Sequence, residues 1–452
     1  MGGTPFGVTG KALARLQLAL IVAPSFILFG YNQAGIGGLL TEEDWVKTFP
    51  EIDTVNYTGA TKTKHSTIQG VVVAVFVIGA LFGSLSAGWS GNAFGRRNVV
   101  FAGGIFTLIG SVLEASSFSL AQFIVGRIIL GAGVGQLSSI VPVWLSETSS
   151  AANRGRQVVL TGLFICLGYV LESWINLGFF EFKTGPRTWR PPIAISIFFS
   201  LVLIASIYFF PESPRWLVMK NRSEQARSVV AALRGLPEDA PEVQIEVAGI
   251  EFSLEETAGT AVKLTDMLKM GEDKLLYRFM LCILLQFYQQ MSGSNLVSVY
   301  APILFQSNLG LPAETAKALA GGALTWKFLS SFLAFFCIDR LGLAPIRLRM
   351  AMSSISTANH WLWNFVVALA TPVALETIGW QYYIVFAVIS ALIPVSVIFF
   401  YPETKGRSLE ELDMIFKTSP SVLGTVRHAK NQPPAMPQEY LEKVDQKQIE
   451  HS

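Results

Sequence analysis

The stretch Pro192–Phe210 reads PIAISIFFSLVLIASIYFF and contains no charged side chain. A helix needs about 20 residues to cross a hydrocarbon core about 30 Å thick. In lipid the backbone must satisfy its own hydrogen bonds, and a helix does so within one segment. Similar runs recur along the chain, so the sequence predicts an all-α integral membrane protein.

Composition agrees with this prediction. Of 452 residues, 51% are hydrophobic and 15% are charged, with a mean hydropathy of +0.46, whereas about 25% of the residues in soluble domains are charged. A net charge of +2 gives no indication of nucleic-acid binding. We predict ten spans: Leu16–Leu39, Gln69–Trp89, Val99–Ser117, Leu120–Leu145, Val158–Phe180, Pro192–Phe210, Arg278–Phe305, Ala318–Ile338, Met350–Leu375 and Tyr382–Tyr401.

The distribution of Lys and Arg predicts the orientation. With the N-terminus in the cytoplasm, the segments on that side hold 25 Lys and Arg residues and the opposite segments hold 7. This bias predicts that both termini are cytoplasmic. It also places the sequon Asn56-Tyr57-Thr58 outside, where Asn56 is a candidate glycosylation site. We expect the protein to lie in the plasma membrane.

The two halves of the chain end in related segments. Pro211–Arg215 reads PESPR and Pro402–Arg407 reads PETKGR. Repeated halves build one large class of transporters, in which the substrate site lies at the midplane between them. We therefore predict a six-helix bundle in residues 1–210, a cytoplasmic helical loop in 211–277, a C-terminal bundle of four spans in 278–416 and a cytoplasmic tail in 417–452.

Seven separated motifs carry a family resemblance. They are GYNQ at Gly30–Gln33, GRR at Gly95–Arg97, Gly126–Arg127, Glu147 with Arg154, Pro211–Leu217, QFYQQMSGSNLVSVY at Gln286–Tyr300 and PETKGRSLEELDMIF at Pro402–Phe416. In this order they resemble the sugar porter branch of the major facilitator superfamily, especially its fungal members. The resemblance covers nearly the whole chain and implies a major facilitator-type two-bundle fold that transports a small polar solute.

Members of that family carry twelve spans, so the resemblance implies that two are absent here. The sequence passes from the loop after the eighth span, Asp339–Pro345, to Arg349–Ala351, which resembles the start of the eleventh. We predict loss of the ninth and tenth spans. Because an even number is missing, the remaining spans keep their orientation. A genuine short form and a gene with a lost exon both remain open.

Polar residues of the seventh span are candidates for substrate binding. Gln286, Gln289 and Gln290 share one helical face, and Asn295 joins that face only if the helix breaks at Ser292-Gly293. Amides donate to and accept from sugar hydroxyls, although polar contacts between helices are the alternative. The resemblance adds Asn364 and Trp361 to the predicted cavity, with a purely structural role for Trp361 left open.

Asn32 bears on the coupling of transport. In proton-coupled relatives an Asp usually occupies this position, and the arginine of the fourth span, here Arg127, senses its protonation. An amide cannot titrate, so the resemblance predicts facilitative transport. Glu114 and Glu172 are alternative proton carriers, but their positions near the outer ends of spans predict solvated carboxylates.

Lys327 lies twelve residues before Asp339, and hence about 18 Å along a helix, near mid-membrane. A cation there is costly and marks a functional site by default. We predict that it either binds an anionic substrate such as a sugar acid or pairs with a carboxylate inside the bundle.

Residues at helix ends match the cytoplasmic latch and the outer gate of the family. Those of its cytoplasmic latch, a set of ion pairs that holds the inner side shut, are Arg96, Arg97, Glu147, Arg154, Glu212 and Arg215. Pairs at a water boundary contribute about 0–1 kcal/mol each, so we expect each to be weak. Tyr300 matches the outer gate, whereas Val299 replaces the tyrosine expected before it.

Transport of a monosaccharide or related solute by alternating access is the leading hypothesis. The alternatives are a sugar-acid or other non-hexose transporter, a nutrient sensor and an inactive truncated transporter. The predicted partners are a small-molecule substrate and the bilayer, and no enzymatic activity, cofactor or metal site is predicted. The glycine run Gly131–Gly135 resembles a nucleotide loop, but it lies within an apolar span, where small residues bring helices together.

Overall fold

The computed structural model describes residues 7–40, 42–54, 56–149, 154–183, 185–258, 274–341, 349–401, 419 and 424–426. Within these ranges the regular elements are helices and there is no strand, so the all-α prediction is confirmed. The motif from Pro402, nearly all of the predicted tail, and the junction at residues 342–348 lie outside the described residues.

The first half contains the six predicted spans together with one short additional helix. In chain order its elements are α1 (Gly10–Gln17), a π-helical turn (Leu18–Val22), α2 (Ala23–Ala34), α3 (Glu43–Thr48), α4 (Gly59–Phe94), α5 (Arg96–Ala115), α6 (Leu120–Thr148), α7 (Arg154–Phe180) and α8 (Arg190–Ser206). The polar segment that follows forms α9 (Pro214–Met219), α10 (Ser223–Arg234) and α11 (Pro241–Ala258).

The second half supplies the remaining four spans. Its helices are α12 (Leu275–Met291), α13 (Ser294–Leu309), α14 (Ala313–Leu341), α15 (Arg349–Thr377) and α16 (Tyr382–Phe400). By length and composition, seven helical segments in the described part can cross a membrane, namely α1–α2, α4, α5, α6, α7, α8 and α16. The other three predicted spans, α12–α13, α14 and α15, are also helical and carry most of the candidate substrate residues.

The seventh span is broken where the sequence predicts. α12 ends at Met291, α13 begins at Ser294, and Gly293 between them has φ +77°. This left-handed conformation favours glycine. A side chain at Gly293 would also meet the ring of Phe386, about 3.2 Å from the position of a Cβ atom. The predicted break is therefore confirmed.

Glycines allow the helices of the first half to touch backbone to backbone. A Cβ atom on Gly131 of α6 would lie 2.0 Å from the backbone oxygen of Phe76 in α4, and one on Gly135 would lie 2.1 Å from that of Ala80. Such approaches are typical of membrane helices, where packing rather than exclusion of water holds helices together. The glycine run is a packing surface, as predicted.

The two halves meet along the whole of α4. Near its first turns, a Cβ atom on Gly70 would lie 2.9 Å from the backbone oxygen of Leu369 in α15. Near the other end, one on Gly88 would lie 3.0 Å from the Ser354 hydroxyl, also in α15. We call these two ends of the protein the Glu42 end and the Arg96 end, after the charged residues at each.

We predict that Gly131→Val strongly reduces the stability of the folded protein. The new side chain has no room against the Phe76 backbone, and overpacking of this kind costs about 1–3 kcal/mol. Thermal unfolding in detergent, followed by size-exclusion chromatography, measures the effect. Gly178→Val is the matched control, because nothing lies within 4 Å of a Cβ at that position of α7; equal melting temperatures for the two variants would contradict the packing argument.

Candidate functional site

The break in the seventh span brings amides from both sides of it together. Gln290, the penultimate residue of α12, is fully buried. Its side-chain oxygen accepts a hydrogen bond from Asn295 Nδ2 at 2.5 Å, across the Gly293 turn. On an unbroken helix these residues would point in different directions, because five residues correspond to about 140°. The predicted grouping of Gln290 and Asn295 is therefore observed.

His360 of α15 completes this amide cluster, and the sequence analysis missed it. The imidazole lies 2.9 Å from Gln290 Nε2. Its Nδ1 is 3.3 Å from the side-chain oxygens of both Gln286 and Gln289, and Gln286 also donates to Ser356. A single histidine in an apolar run forms no pattern; the available signal was its position four residues before Asn364, on the same helical face.

Asn364 and Trp361 are buried donors on the same helix. Asn364 is 3% exposed, and its Nδ2 has no hydrogen-bond partner in the described part of the chain. Trp361 is fully buried between the rings of Phe29 and Phe76, with centroids 5.0 and 6.0 Å away. The Trp361 Nε1 is likewise unpartnered among described residues. The ring thus packs structurally while its N–H remains available.

Lys327 of α14 points to the start of α13. Its Nζ donates to the hydroxyls of Ser294, at 3.0 Å, and Ser298, at 2.8 Å, and lies 4.9 Å from the centroid of the Tyr169 ring in the first half. These described partners are neutral. The expectation of a carboxylate partner is therefore not met within the described residues, and the lysine lies where the two halves face each other.

Arg127 contacts Asn32 through the backbone rather than the side chain. Its Nη1 donates to the Asn32 carbonyl oxygen at 3.2 Å, while the Asn32 amide donates to the Leu28 carbonyl at 2.9 Å. The guanidinium also lies over the Phe76 ring, 4.5 Å from its centroid. Arg127 is 2% exposed. The predicted proximity is present, but the Asn32 side chain faces its own helix.

The prediction that Glu114 and Glu172 are solvated is wrong. They are only 2% and 5% exposed. Contacts between helices account for this burial: Glu114 packs against Gly126 of α6, where a Cβ atom would lie 2.9 Å from Glu114 Cγ, and Glu172 lies about 3.8 Å from the position of a Cβ atom on Gly35. Position along the chain alone would place both carboxylates in water, because it does not indicate these contacts.

Four of the predicted latch residues, Arg96, Arg97, Glu147 and Glu212, meet at the Arg96 end. Arg96 binds Glu147 through two hydrogen bonds of 2.8 and 3.0 Å, and both side chains are at most 3% exposed. Glu212 accepts from the backbone N–H groups of Arg96 and Arg97, each at 3.1 Å, which caps the start of α5. Burial raises the pKa of Glu212 above that of an ordinary glutamate, and these hydrogen bonds oppose the shift.

The expectation that the latch pairs are weak rests on a location at a water boundary, and Arg96 and Glu147 do not have that location, because their side chains are at most 3% exposed. Breaking a buried pair costs about 3–5 kcal/mol, because one charge is left without a partner. Both residues lie in the first half, so this contact holds that half together. Arg97 also donates to the Tyr208 carbonyl at 2.8 Å. Arg215 is half-buried, and the side chain of Arg154 lies outside the described residues.

The remaining predicted residues lie toward the Glu42 end. Tyr300 is buried and donates to the Ala368 carbonyl at 3.0 Å, which ties α13 to α15. Asn56 is exposed, and its side chain donates to Asp53 at 2.8 Å. A sugar chain can thus reach Asn56 once the Asp53 bond is released.

A second buried ion pair joins the two halves, and the sequence analysis missed it. Lys317 Nζ of α14 lies 2.5 Å from Glu42 Oε1, and the two side chains are 5% and 3% exposed. Lys317 also lies 4.0 Å from the centroid of the Phe180 ring. The partners are 275 residues apart in the sequence, so no local pattern relates them.

Comparison with known proteins agrees with this architecture. The chain matches the family described as "Sugar (and other) transporter" over residues 18–348 and 343–416. It is 30% identical to the sugar transporter STL1 of Saccharomyces cerevisiae over 475 residues, which covers 91% of this chain and 82% of that protein. It is 31% identical to the MFS-type transporter oryC of Aspergillus oryzae over 511 residues, which covers 98% and 92%.

These alignments bear on the missing spans. Both run over more positions than the 452 residues of this chain, so each relative holds residues that this chain lacks. The two parts of the family match also meet at residues 343–348, where the sequence analysis places the loss. The absence of the ninth and tenth spans stays a prediction, and these findings support it.

Solved structures show the same fold. The proton:xylose symporter XylE of E. coli, bound to 6-bromo-6-deoxy-D-glucose, superposes with a TM-score of 0.74 and 22% identity, covering 90% of this chain and 100% of that one. The helices, the broken seventh span and the family match over most of the length lead to one conclusion. The chain belongs to the sugar transporter family of the major facilitator superfamily and is a membrane transport protein rather than an enzyme.

Proposed function

We propose that the chain transports a monosaccharide or a related polar solute, which binds at the amide cluster formed by Gln286, Gln289, Gln290, Asn295 and His360, with Asn364 one turn further along α15. The observation that carries this proposal is the buried Asn364 Nδ2, which has no partner among the described residues. A buried donor left unpaired costs about 1–3 kcal/mol. A sugar hydroxyl offers the acceptor that it lacks.

Alternating access is the mechanism that the interface between the halves supports. The cluster lies on α12, α13 and α15, and α15 packs along α4 of the first half. α14 packs likewise along α7, where Trp174 donates to Thr325 at 3.0 Å. Rocking of the halves about these contacts would open the site to either side in turn. Release of the buried pair between Glu42 and Lys317, which joins the two halves, would accompany opening at the Glu42 end.

We also propose that the protein lies in the plasma membrane with both termini cytoplasmic, as the Lys and Arg bias predicts. The Glu42 end then faces outward and the Arg96 end inward. In this orientation Asn56 is exposed to the outside and is open to glycosylation. The nutrient-sensor and inactive-transporter hypotheses would leave the same topology, so only transport measurements separate them.

Facilitated diffusion is the coupling that position 32 alone predicts, since Asn32 cannot bind a proton. The same expectation also assumes that Glu114 and Glu172 are solvated and therefore do not carry protons. Both side chains are buried, so this assumption does not hold. The coupling of transport therefore depends on what these two carboxylates do.

A sugar acid is the second candidate substrate. The observation that favours it is Lys327, whose described partners are the hydroxyls of Ser294 and Ser298. Its positive charge thus has no neutralising carboxylate in the described part of the chain. Ser294 directly precedes Asn295 of the amide cluster, so a carboxylate bound at Lys327 would place the hydroxyls of the same molecule near the amides.

We predict that cells without hexose carriers of their own take up radiolabelled D-glucose, D-xylose or another monosaccharide when they express this chain. Gln290→Ala should raise the KM for that solute about tenfold, which corresponds to the loss of about 1.4 kcal/mol. Gln381→Ala, an exposed amide at the start of α16, is the matched control. Absence of uptake by the wild-type chain, while a version with two restored spans transports, would show that this chain is inactive.

We predict that Lys327→Asn abolishes uptake of radiolabelled D-galacturonate and leaves uptake of neutral sugars within about threefold, because an amide keeps the hydrogen bonds but loses the charge. Uptake into the same cells, measured for both solutes in parallel, checks this prediction. Lys64→Asn, at an exposed lysine of α4, controls for the loss of a positive charge elsewhere. Galacturonate uptake that survives in Lys327→Asn would rule out the anionic-substrate hypothesis.

A further inference from the structure

A small cavity lies inside the first half, toward the Glu42 end. Its wall is formed by Tyr31, Asn32, Gly35, Ile36, Glu114, Arg127, Glu172, Pro192 and Ile193. The space open to the centre of a water molecule is about 20 Å³, enough for about one water. Two carboxylates and one guanidinium thus surround a space that is too small for a sugar.

Glu114 approaches this space without a partner of its own. Its Oε1 is buried and has no hydrogen-bond partner among the described residues. The side chain packs against Gly126, where a Cβ atom would lie 2.9 Å from Glu114 Cγ, and so lies next to Arg127 in α6. Arg127 donates one hydrogen bond, from Nη1, to the Asn32 carbonyl. Its Nε has no hydrogen-bond partner among the described residues. Glu114 and Arg127 form no direct ion pair.

Glu172 links this cavity to the contact between the halves. Its Oε1 accepts from Asn176 Nδ2 at 3.2 Å. The same carboxylate lines a second small cavity together with Ser298 and Lys317 of the other half. Lys317, however, is already paired with Glu42.

The charges that line these two cavities, counted together with Glu42, the ion-pair partner of Lys317, do not balance. Glu42, Glu114 and Glu172 bring three negative charges when ionised, whereas Arg127 and Lys317 bring two positive ones. One buried negative charge is therefore uncompensated, and an isolated charge in a low-dielectric interior is strongly unfavourable. Binding of one proton makes the set neutral.

Groups on the neighbouring helices do not remove this imbalance. On α8, Arg190 lies beyond the cavity, where it donates to the Ser117 carbonyl at 3.0 Å and lies over the Phe118 ring. On α2, Tyr31 faces the cavity but donates its own proton to the Pro192 carbonyl at 2.6 Å. α4, which also packs against α5, contributes no residue to the wall.

We infer that Glu114 and Glu172 together form a binding site for one transported proton, so that solute transport by this chain is proton-coupled. The inference rests on the proposed transport function. In each cycle one proton adds to a carboxylate oxygen of the pair while the site is open to one side, and it leaves as a proton to the other side. With the proton bound, the covered and neutral cavity is compatible with the closed contact between α7 and α14. Without it, the extra charge favours entry of water and opening.

The test uses the full chain in proteoliposomes that contain a pH-sensitive dye. Counterflow of radiolabelled D-glucose, D-xylose or D-galacturonate first identifies a transported solute, independently of protons. We expect addition of that solute to wild-type vesicles to acidify the interior, and an imposed inward proton gradient to drive its accumulation. In Glu114→Gln, and separately in Glu172→Gln, acidification and accumulation should be lost while counterflow persists. Glu51→Gln, at an exposed carboxylate, is the matched control and should behave as the wild type.

Each other outcome overturns the inference in a recognisable way. Counterflow without acidification in the wild type would leave the transport function standing and exclude proton coupling; this measurement does not depend on the folding of any variant. Acidification that persists in both Gln variants would place the proton elsewhere. Loss of counterflow in both variants would assign the carboxylates a structural role. No counterflow of any solute in the wild type would contradict the transport function itself.

Discussion

The hydrocarbon core of the bilayer offers a polar group no partner, and this constraint shapes the whole protein. It requires each span to be a helix, and it leaves packing as the means of holding the helices together. Gly131 and Gly135 meet that need by letting α6 approach the backbone of α4. A break in a span is tolerated only where it is buried in protein or lines a water-filled cavity. The break at Gly293 is of this kind: it lies against Phe386, and its amides turn toward α15 rather than toward lipid.

Buried charges in this chain fall into two groups that behave differently. The pairs between Arg96 and Glu147 and between Lys317 and Glu42 satisfy one charge with another, so they stabilise a particular arrangement of helices. The first lies within one half and is preserved while the halves move. The second crosses the interface and must break when the Glu42 end opens. Glu114, Glu172, Arg127 and Lys327 have no such partner among the described residues, and the unfavourable energy of burying them points to binding of a proton or an anionic solute.

The sequence predicts those features that depend on local pattern. Runs of apolar residues predict ten helical spans, and the Ser292-Gly293 pair predicts the break in the seventh. The amide face that contains Gln290 followed from helical period alone. Depth within the protein did not follow, because Glu114 is buried by contact with another helix, against Gly126 of α6, and the pattern of a single span does not indicate which helices surround it. Two further contacts, Lys317 with Glu42 and His360 with Gln290, join residues far apart in the chain. A periodic pattern within one helix cannot predict such contacts.

The location of these sites also limits what loss of two spans can change. The proposed proton site lies in the first half, on α5, α6 and α7, and helices are present at all six spans predicted for that half. The amide cluster lies on α12, α13 and α15, so spans from the second half that lie beside it matter for how tightly a solute is enclosed. The contacts that relate the halves run between α4 and α15 and between α7 and α14, and all four helices are present. The predicted loss of two spans would therefore bear first on solute affinity and selectivity, and it would leave the proposed proton site and the contacts between the halves intact.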